Sequence, residues 1–298
     1  MSQRKAILIS NPKTGRYGAR RSPQLDRVCD YLRTRGIEVE QVSTTGPGDA
    51  TSLAARATDN GVREVIVSGG DGTINEVLQG MIGTDARLAI LPQGTANVLA
   101  RELKLPLNSK QALEVIARGR TRKIHVGRAI DEASGAKRYF FLMAGIGLDA
   151  SVVQRVHPGL KKRFGKAAFW YSGLSHLAGW EPIPFQIEIN GKTYVATFAT
   201  IGKAASYGGE LSLTPRARLD QPEFEICLVE SRSRLRYLRL LAYAMRGGAP
   251  ADRRGIRFLR ATRAQALGTT AVQVDGELIG KLPMIFEIAP HSIEVIVP

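Results

Sequence analysis

Short apolar runs and amphipathic stretches alternate along residues 1–124. The runs AILIS, IEVEQV, EVIVS and RLAILP are rich in β-branched residues and bounded by turn formers, so they read as four strands. The stretches between them are helical in period. One runs from about Pro23 to Arg35 and stops at Gly36, and a second runs from about Asp49 to Asn60 and stops at Gly61. INEVLQGMI follows the third strand, QGTANVLAREL follows the fourth, and SKQALEVIAR closes at Gly119. Glycine just past the last periodic residue supplies the left-handed conformation that ends a helix. The alternation predicts an α/β domain with a mostly parallel sheet. Its strand-to-helix loops then lie at the carboxyl edge, where such sheets bind ligands.

From about residue 125 the period changes to two. FQIEINGKTYVATFA alternates around Asn190-Gly191, the dipeptide of a two-residue hairpin turn. FEICLVE, GIRFLRAT, AVQVDGEL, MIFEIA and IEVIVP add short strands. Two helical stretches interrupt them, about Gly159 to Ala178 and Ser233 to Arg246, and the second sets Leu235, Leu238, Leu241 and Met245 on one face. The pattern predicts an antiparallel β-sandwich or barrel with inserted helices over residues 125–288, joined to the first domain near TRKIHVG.

Composition narrows the class. The 298 residues are 44% hydrophobic and 23% charged, an ordinary globular mix with material for a sizeable core. No apolar run approaches a membrane span, and KAILIS is too short for a signal-peptide core. The two cysteines, Cys29 and Cys227, fit no metal or redox spacing, which suits a reducing cytoplasm. Lys and Arg number 42 against 27 Asp and Glu, a formal charge of +15. That excess favours phosphorylated ligands, nucleic acid or anionic headgroups, or it reflects only an arginine-rich composition. With no RNA-binding motif and 6% aromatics, nucleic acid is not expected.

The candidate chemistry starts at VIVSGGDGTINEVLQG, Val65 to Gly80, where a buried strand stops at glycines and a helix begins at once. Gly69, Gly70 and Gly72 clear space for a phosphate at a helix N-terminus, and Thr73 can cap that helix. Asp71 repels a phosphate unless a divalent cation stands between them. The alternative is a tight turn with no ligand. PQGTAN, with Gly94 and Thr95, repeats the design after the fourth strand, and NPKTG repeats it after the first. Three such loops on one sheet edge favour a nucleotide phosphate site. No P-loop motif occurs, and GIGLDA lacks the acid that a dinucleotide fold places about 20 residues later, so it reads as a strand-to-helix turn.

NPKTG, TTGPGDA, SGGDGTINEV, LPQGTAN, SYGGELSLTPRARLD and VDGELIGKLP, in this order, resemble the diacylglycerol kinase catalytic-domain family. That family includes soluble bacterial lipid kinases and the sphingosine and ceramide kinases. The resemblance covers essentially the whole chain. It implies an NAD-kinase-like α/β domain that binds ATP, a β-rich domain for lipid, and a last strand, about 289–298, that returns to the first domain. The implied nucleotide site is Asn11, Pro12, Lys13, Thr14, Gly15, Thr44, Gly70, Asp71, Gly72, Thr73, Asn75, Glu76, Gly94, Thr95 and Asn97, with Asp71 holding the nucleotide's Mg2+. Asp275 is the implied base and Glu277 a supporting carboxylate. From the dipeptide alone, Asp275-Gly276 reads as a hairpin turn before it reads as a base.

This chain departs from the family pattern by losing acids. Val98 stands where relatives carry Asp after Asn97, His125 stands where many carry Asp, and Gln221 interrupts the loop that often holds a structural Mg2+, leaving Asp220 as its acid. His125 reads as a charged switch, as a cation facing a metal site, or as a satisfied core histidine. Lys161, Lys162, Arg163 and Lys166 precede Phe169, Trp170 and Tyr171, which suits a helix touching an anionic bilayer or a solvated basic face. The expectation is a cytoplasmic, transiently membrane-associated, ATP-dependent lipid kinase of diacylglycerol type, with room for a homodimer. An NAD-kinase-type metabolite kinase and a nucleotide- or lipid-binding protein without catalysis are the alternatives.

Overall fold

A computed structural model describes residues 4–12, 21–148, 150–151, 181–206, 212–245 and 255–298. The backbone divides into two compact units, Met1–Ile124 with Pro290–Pro298, and His125–Ala289.

In the first unit, strands β2 (Ile37–Ser43), β1 (Arg4–Ser10), β3 (Glu64–Gly69) and β4 (Arg87–Pro92) lie side by side in that order, all parallel. The end of β16 (Met284–Ile296) adds a fifth parallel strand, with Glu294 opposite Arg87. Helices α1 (Arg21–Arg33), α2 (Asp49–Asp59), α3 (Asp71–Met81), α4 (Val98–Glu102) and α5 (Ser109–Arg118) complete the unit. Every residue of β3 is buried, which is why EVIVSG reads as a continuous apolar run and not as an alternation. Register sets Ser10 opposite both Ser43 and Ser68, and Gly69 opposite Pro92, so neighbouring strands release their loops at one level. Arg4 and Arg87 both reach Glu64, which is 1% exposed, at 2.6 and 3.2 Å.

The second unit is an antiparallel β-sandwich. One sheet has the order β12 (Ile256–Ala261), β11 (Phe224–Val229), β10 (Phe198–Gly202), β7 (Met143–Ile146), β14 (Ala271–Val274), β15 (Glu277–Lys281). The other carries the start of β16, then β13 (Arg263–Leu267), β8 (Phe185–Ile189) and β9 (Lys192–Ala196), with β5 (Thr121–Asp131) paired to β6 (Lys137–Phe140). Ile187, Ile189 and Phe286 from one sheet meet Ile201, Ile226 and Val274 from the other in one core. On the outer side of β10 and β11, Phe198, Cys227 and Val229 pack against Tyr237, Leu240 and Ala244 of α6 (Arg234–Met245). FEICLV is therefore buried at every position instead of alternating.

The α/β fold with a β-sandwich is as expected, and the differences have local causes. MIFEIA and IEVIVP form one 13-residue strand, β16, and TRKIHVG, within which the two units divide at Ile124 and His125, opens the 11-residue β5. RAQAL forms β13 with a single large apolar residue, because its two alanines fill the core. The buried face of α6 is Tyr237, Leu240 and Ala244, not the predicted leucine face, and Leu235 and Leu238 are 64% and 42% exposed. The helical stretch 159–178, with the basic cluster at 161–166, lies outside the described residues.

Candidate functional site

The loop after β3 starts α3 without a side-chain cap. The carbonyl of Gly70, in extended backbone, accepts the N–H of Ile74 at 3.0 Å, and Asp71, Gly72 and Thr73 form the first turn. The loop after β4 presses against it. A Cβ on Gly94 would stand 2.6 Å from Gly70 Cα and 2.8 Å from Asn97 Oδ1, so no side chain fits there. Asn97, at φ 48°, closes its own loop by accepting the Gly94 N–H at 2.8 Å and donating to the Gly94 carbonyl at 2.9 Å. Asp71 bridges the two loops. Its oxygens accept the N–H groups of Val98 and Leu99 at 3.0 and 3.1 Å, capping α4 from the neighbouring turn.

The other expected residues fall around this edge. Asn11 donates to Thr73 Oγ1 at 3.3 Å, Thr44 is buried with its N–H on the Ser10 carbonyl at 2.9 Å, and Glu76 accepts the Gly48 N–H at 3.1 Å. Asn75 is buried inside α3 and accepts from Gln79 at 3.0 Å, whereas Pro12 and Thr95 are exposed. Lys13, Thr14 and Gly15 lie outside the described residues. Gly72 differs from Gly94, since a Cβ there would meet nothing within 4 Å. The protein itself gives no steric reason for glycine at that helix start. A phosphate closing on the main chain would give one, and the open first turn of α3 could hold it.

In the second unit, Asp275 and Gly276 form the two-residue turn between β14 and β15, at φ 47° and 85°, the signs of a type I′ hairpin. The turn does more than reverse the chain. Asp275 Oδ2 accepts the N–H of Phe141 at 3.0 Å, and Oδ1 accepts those of Leu142 and Met143, each at 3.0 Å. These bonds explain why the apolar run YFFLMA breaks at Phe141–Leu142 into β6 and β7. Gln273, fully buried, accepts the Gly276 N–H at 2.7 Å and stiffens the turn. Glu277 is paired with Arg138 at 2.5 Å.

The loop around Asp220 does not fit a magnesium ion. Arg218 holds both oxygens of Asp220, at 3.0 and 2.8 Å. The carbonyls of Arg218, Gln221 and Glu223 accept from Lys203 Nζ at 2.7, 2.5 and 3.4 Å. Among the described residues, no group of three or more His, Cys, Asp and Glu is placed to hold a metal. Burial lowers the Lys203 pKa to about 8, opposed by Asp220 and Glu223. Burial, helped by the Lys203 charge and opposed by Asp220, also pushes His125 below its ordinary value. Burial and a built-in cation thus both disfavour the charged form of His125. The sequence reading missed Lys203, whose one signal is a lone charge directly after the apolar strand FATIG.

Glycine-opened strand-to-helix loops in the first unit and a hairpin-borne carboxylate in the second suit phosphoryl transfer, and comparison with known proteins specifies the class. The family model for the diacylglycerol kinase catalytic domain matches residues 5–129, and that for the YegS C-terminal NAD kinase beta sandwich-like domain matches residues 143–297. A diacylglycerol kinase of Staphylococcus saprophyticus is 30% identical over 302 residues, covering 99% of this chain and 96% of its own. Those of Mycobacterium tuberculosis (strain CDC 1551 / Oshkosh) and Bacillus subtilis (strain 168) are each 29% identical, covering 99% of this chain and 95% and 97% of theirs. A solved structure from Bacillus anthracis str. Sterne shares the fold with TM-score 0.82 at 24% identity, covering 100% of this chain and 98% of that one. A crystal structure of a diacylglycerol kinase from the same organism gives TM-score 0.76 at 22% identity over 99% and 97% of the two chains. The chain belongs to the diacylglycerol kinase catalytic-domain family, a family of lipid kinases, and it is a kinase.

Proposed function

We propose that the protein transfers the γ-phosphoryl group of ATP to the hydroxyl of a diacylglycerol-type lipid. The observation that carries this reading is the Asp275 carboxylate, held by three main-chain N–H groups at the tip of a hairpin, in a chain matched along its length by diacylglycerol kinases. The lipid oxygen attacks the γ-phosphorus, its proton passes to Asp275, and the bond from phosphorus to the bridging oxygen of ADP breaks. Gly70, Gly72 and Gly94, with the free main-chain N–H groups at the N-terminus of α3, would hold the phosphates of ATP. Mg2+, held by Asp71 and the phosphates, would spread the charge of the transferring group. Glu277, through Arg138, supports the hairpin from β15.

A lipid kinase collects its substrate from a membrane, and we place a peripheral contact on α6. There Leu235 and Leu238 are exposed beside exposed Arg232 and Arg239, an arrangement suited to an anionic headgroup layer. The basic residues Lys161, Lys162, Arg163 and Lys166 are a second candidate contact on sequence grounds alone and lie outside the described residues. Among the described residues, no helix is long and apolar enough to cross a membrane. The test is transfer from labelled ATP to vesicles carrying diacylglycerol, ceramide or sphingosine, with NAD offered in parallel. Label on diacylglycerol supports the proposal. Label on NAD alone overturns it in favour of a metabolite kinase, and ATP binding without label on any acceptor overturns it in favour of a binding protein.

A further inference from the structure

Three carbonyl oxygens of one loop, from Arg218, Gln221 and Glu223, converge on a single atom, Lys203 Nζ, at 2.7, 2.5 and 3.4 Å. Lys203 is 0% exposed, and an ammonium has three N–H donors, one for each carbonyl. Converging main-chain carbonyls are the ligands of a hard cation. A buried charge without them would be strongly disfavoured. We propose that Lys203 is the resident cation of this loop, a tethered ammonium in place of a divalent metal, and that its own main chain positions Asp275.

One peptide group links Lys203 to Asp275. The N–H groups of Lys203 and Ala204 donate to the Leu142 carbonyl at 2.8 and 3.0 Å. That carbonyl shares a rigid peptide plane with the Met143 N–H, which donates to Asp275 Oδ1 at 3.0 Å. Lys203 therefore grips one edge of a plane whose other edge grips the carboxylate. The Leu142 N–H, in the preceding peptide, reaches the same Oδ1 at 3.0 Å. On the loop side, Thr214 donates to the Ala204 carbonyl at 2.9 Å and Ser212 to the Ala205 carbonyl at 3.1 Å. Leu219 accepts the His125 N–H at 2.7 Å, tying the cradle to β5 as well. Releasing the ammonium frees the loop from the strand end and lets the Leu142–Met143 peptide tilt. The role of Asp275 as base is the reading proposed above, whereas the cradle stands without it.

Two measurements test this, the first on the protein without nucleotide. The wild-type melting temperature is expected to be the same in EDTA and in millimolar Mg2+, and a fall in EDTA would overturn the tethered-cation assignment. The second compares Lys203→Met and Lys203→Gln with the wild type in steady-state phosphoryl transfer at a temperature where all are folded. Turnover is expected to fall by up to about 100-fold, the effect of a displacement near 1 Å, with KM for ATP unchanged. Lys203→Gln, which keeps two N–H donors for the carbonyls, is expected to retain more turnover than Lys203→Met. Wild-type turnover in either folded variant would overturn the positioning role, and so would a change confined to KM for ATP. Should Lys203→Met not fold, Lys203→Gln carries the comparison. If the wild type labels no lipid, the reading of Asp275 fails while the EDTA measurement still decides the cradle.

Discussion

Alanine at Gly72 places a methyl group in the first turn of α3, where nothing of the protein lies within 4 Å. Gly72 has none of the left-handed backbone that would strain another residue, so the helix tolerates the change and gains up to about 1 kcal/mol. A phosphate oxygen bound to that turn sits about 2.9 Å from a main-chain nitrogen, and the new methyl contests the same space. The expected loss of ATP affinity is about 10- to 100-fold, or about 1.4–2.8 kcal/mol. Gly94→Ala behaves differently, because its methyl would stand 2.6 Å from Gly70 Cα. Carbon atoms pack at about 3.5–4.0 Å, so the two loops must part by about 1 Å. Overpacking of this kind costs about 1–3 kcal/mol, and both stability and ATP affinity should fall. Calorimetric melting of the nucleotide-free variants, with titration of ATP into each, separates the two. A phosphate site at this turn is refuted if Gly72→Ala binds ATP as tightly as the wild type, and the close packing of the two loops is refuted if Gly94→Ala melts where the wild type does.

Three further outcomes are expected. Glu64→Gln leaves Arg4 and Arg87 facing a neutral, buried group and should lower stability by about 3 kcal/mol in urea unfolding. His125 has a lowered pKa in the fold, so the unfolded chain takes up the proton first as pH falls below about 6.5. Stability should therefore decline through that acid window, and His125→Gln should flatten the decline in melting-temperature profiles. Replacing Leu235 and Leu238 together by Ser should weaken sedimentation with anionic vesicles while leaving ATP affinity unchanged, since both side chains are already exposed.

The parallel sheet was legible because β1, β3 and β4 are buried on both faces and most of its helices stop at glycines, signals that depend on neighbouring residues alone. The glycine loops were legible for the same reason. What they touch was not, because the contact of Gly94 with Gly70 joins residues 24 positions apart in the chain. Asp275-Gly276 reads as a turn from the dipeptide and as a base only through the resemblance, and the fold makes it a turn whose side chain is bound by residues more than 130 positions away. YFFLMA carried no mark of its break, since the break is made by main-chain N–H groups that every residue but proline has. The leucines of α6 misled because periodicity reports an apolar face without reporting what covers it. Tyr237, with its hydroxyl 2.6 Å from Thr197 Oγ1, is the residue that turns inward. Lys203 was invisible as a cation site because its ligands are carbonyls, which leave no trace in the sequence.

The claim that Asp275 takes the acceptor proton is tested most directly by Asp275→Asn in transfer from ATP to diacylglycerol in mixed vesicles. Asparagine keeps the shape, tolerates the left-handed backbone at φ 47°, and retains one oxygen for the main-chain N–H groups, but it accepts no proton at neutral pH. With folding confirmed by melting and ATP affinity unchanged, turnover is predicted to fall about 100- to 10,000-fold. Turnover within tenfold of the wild type would contradict the account.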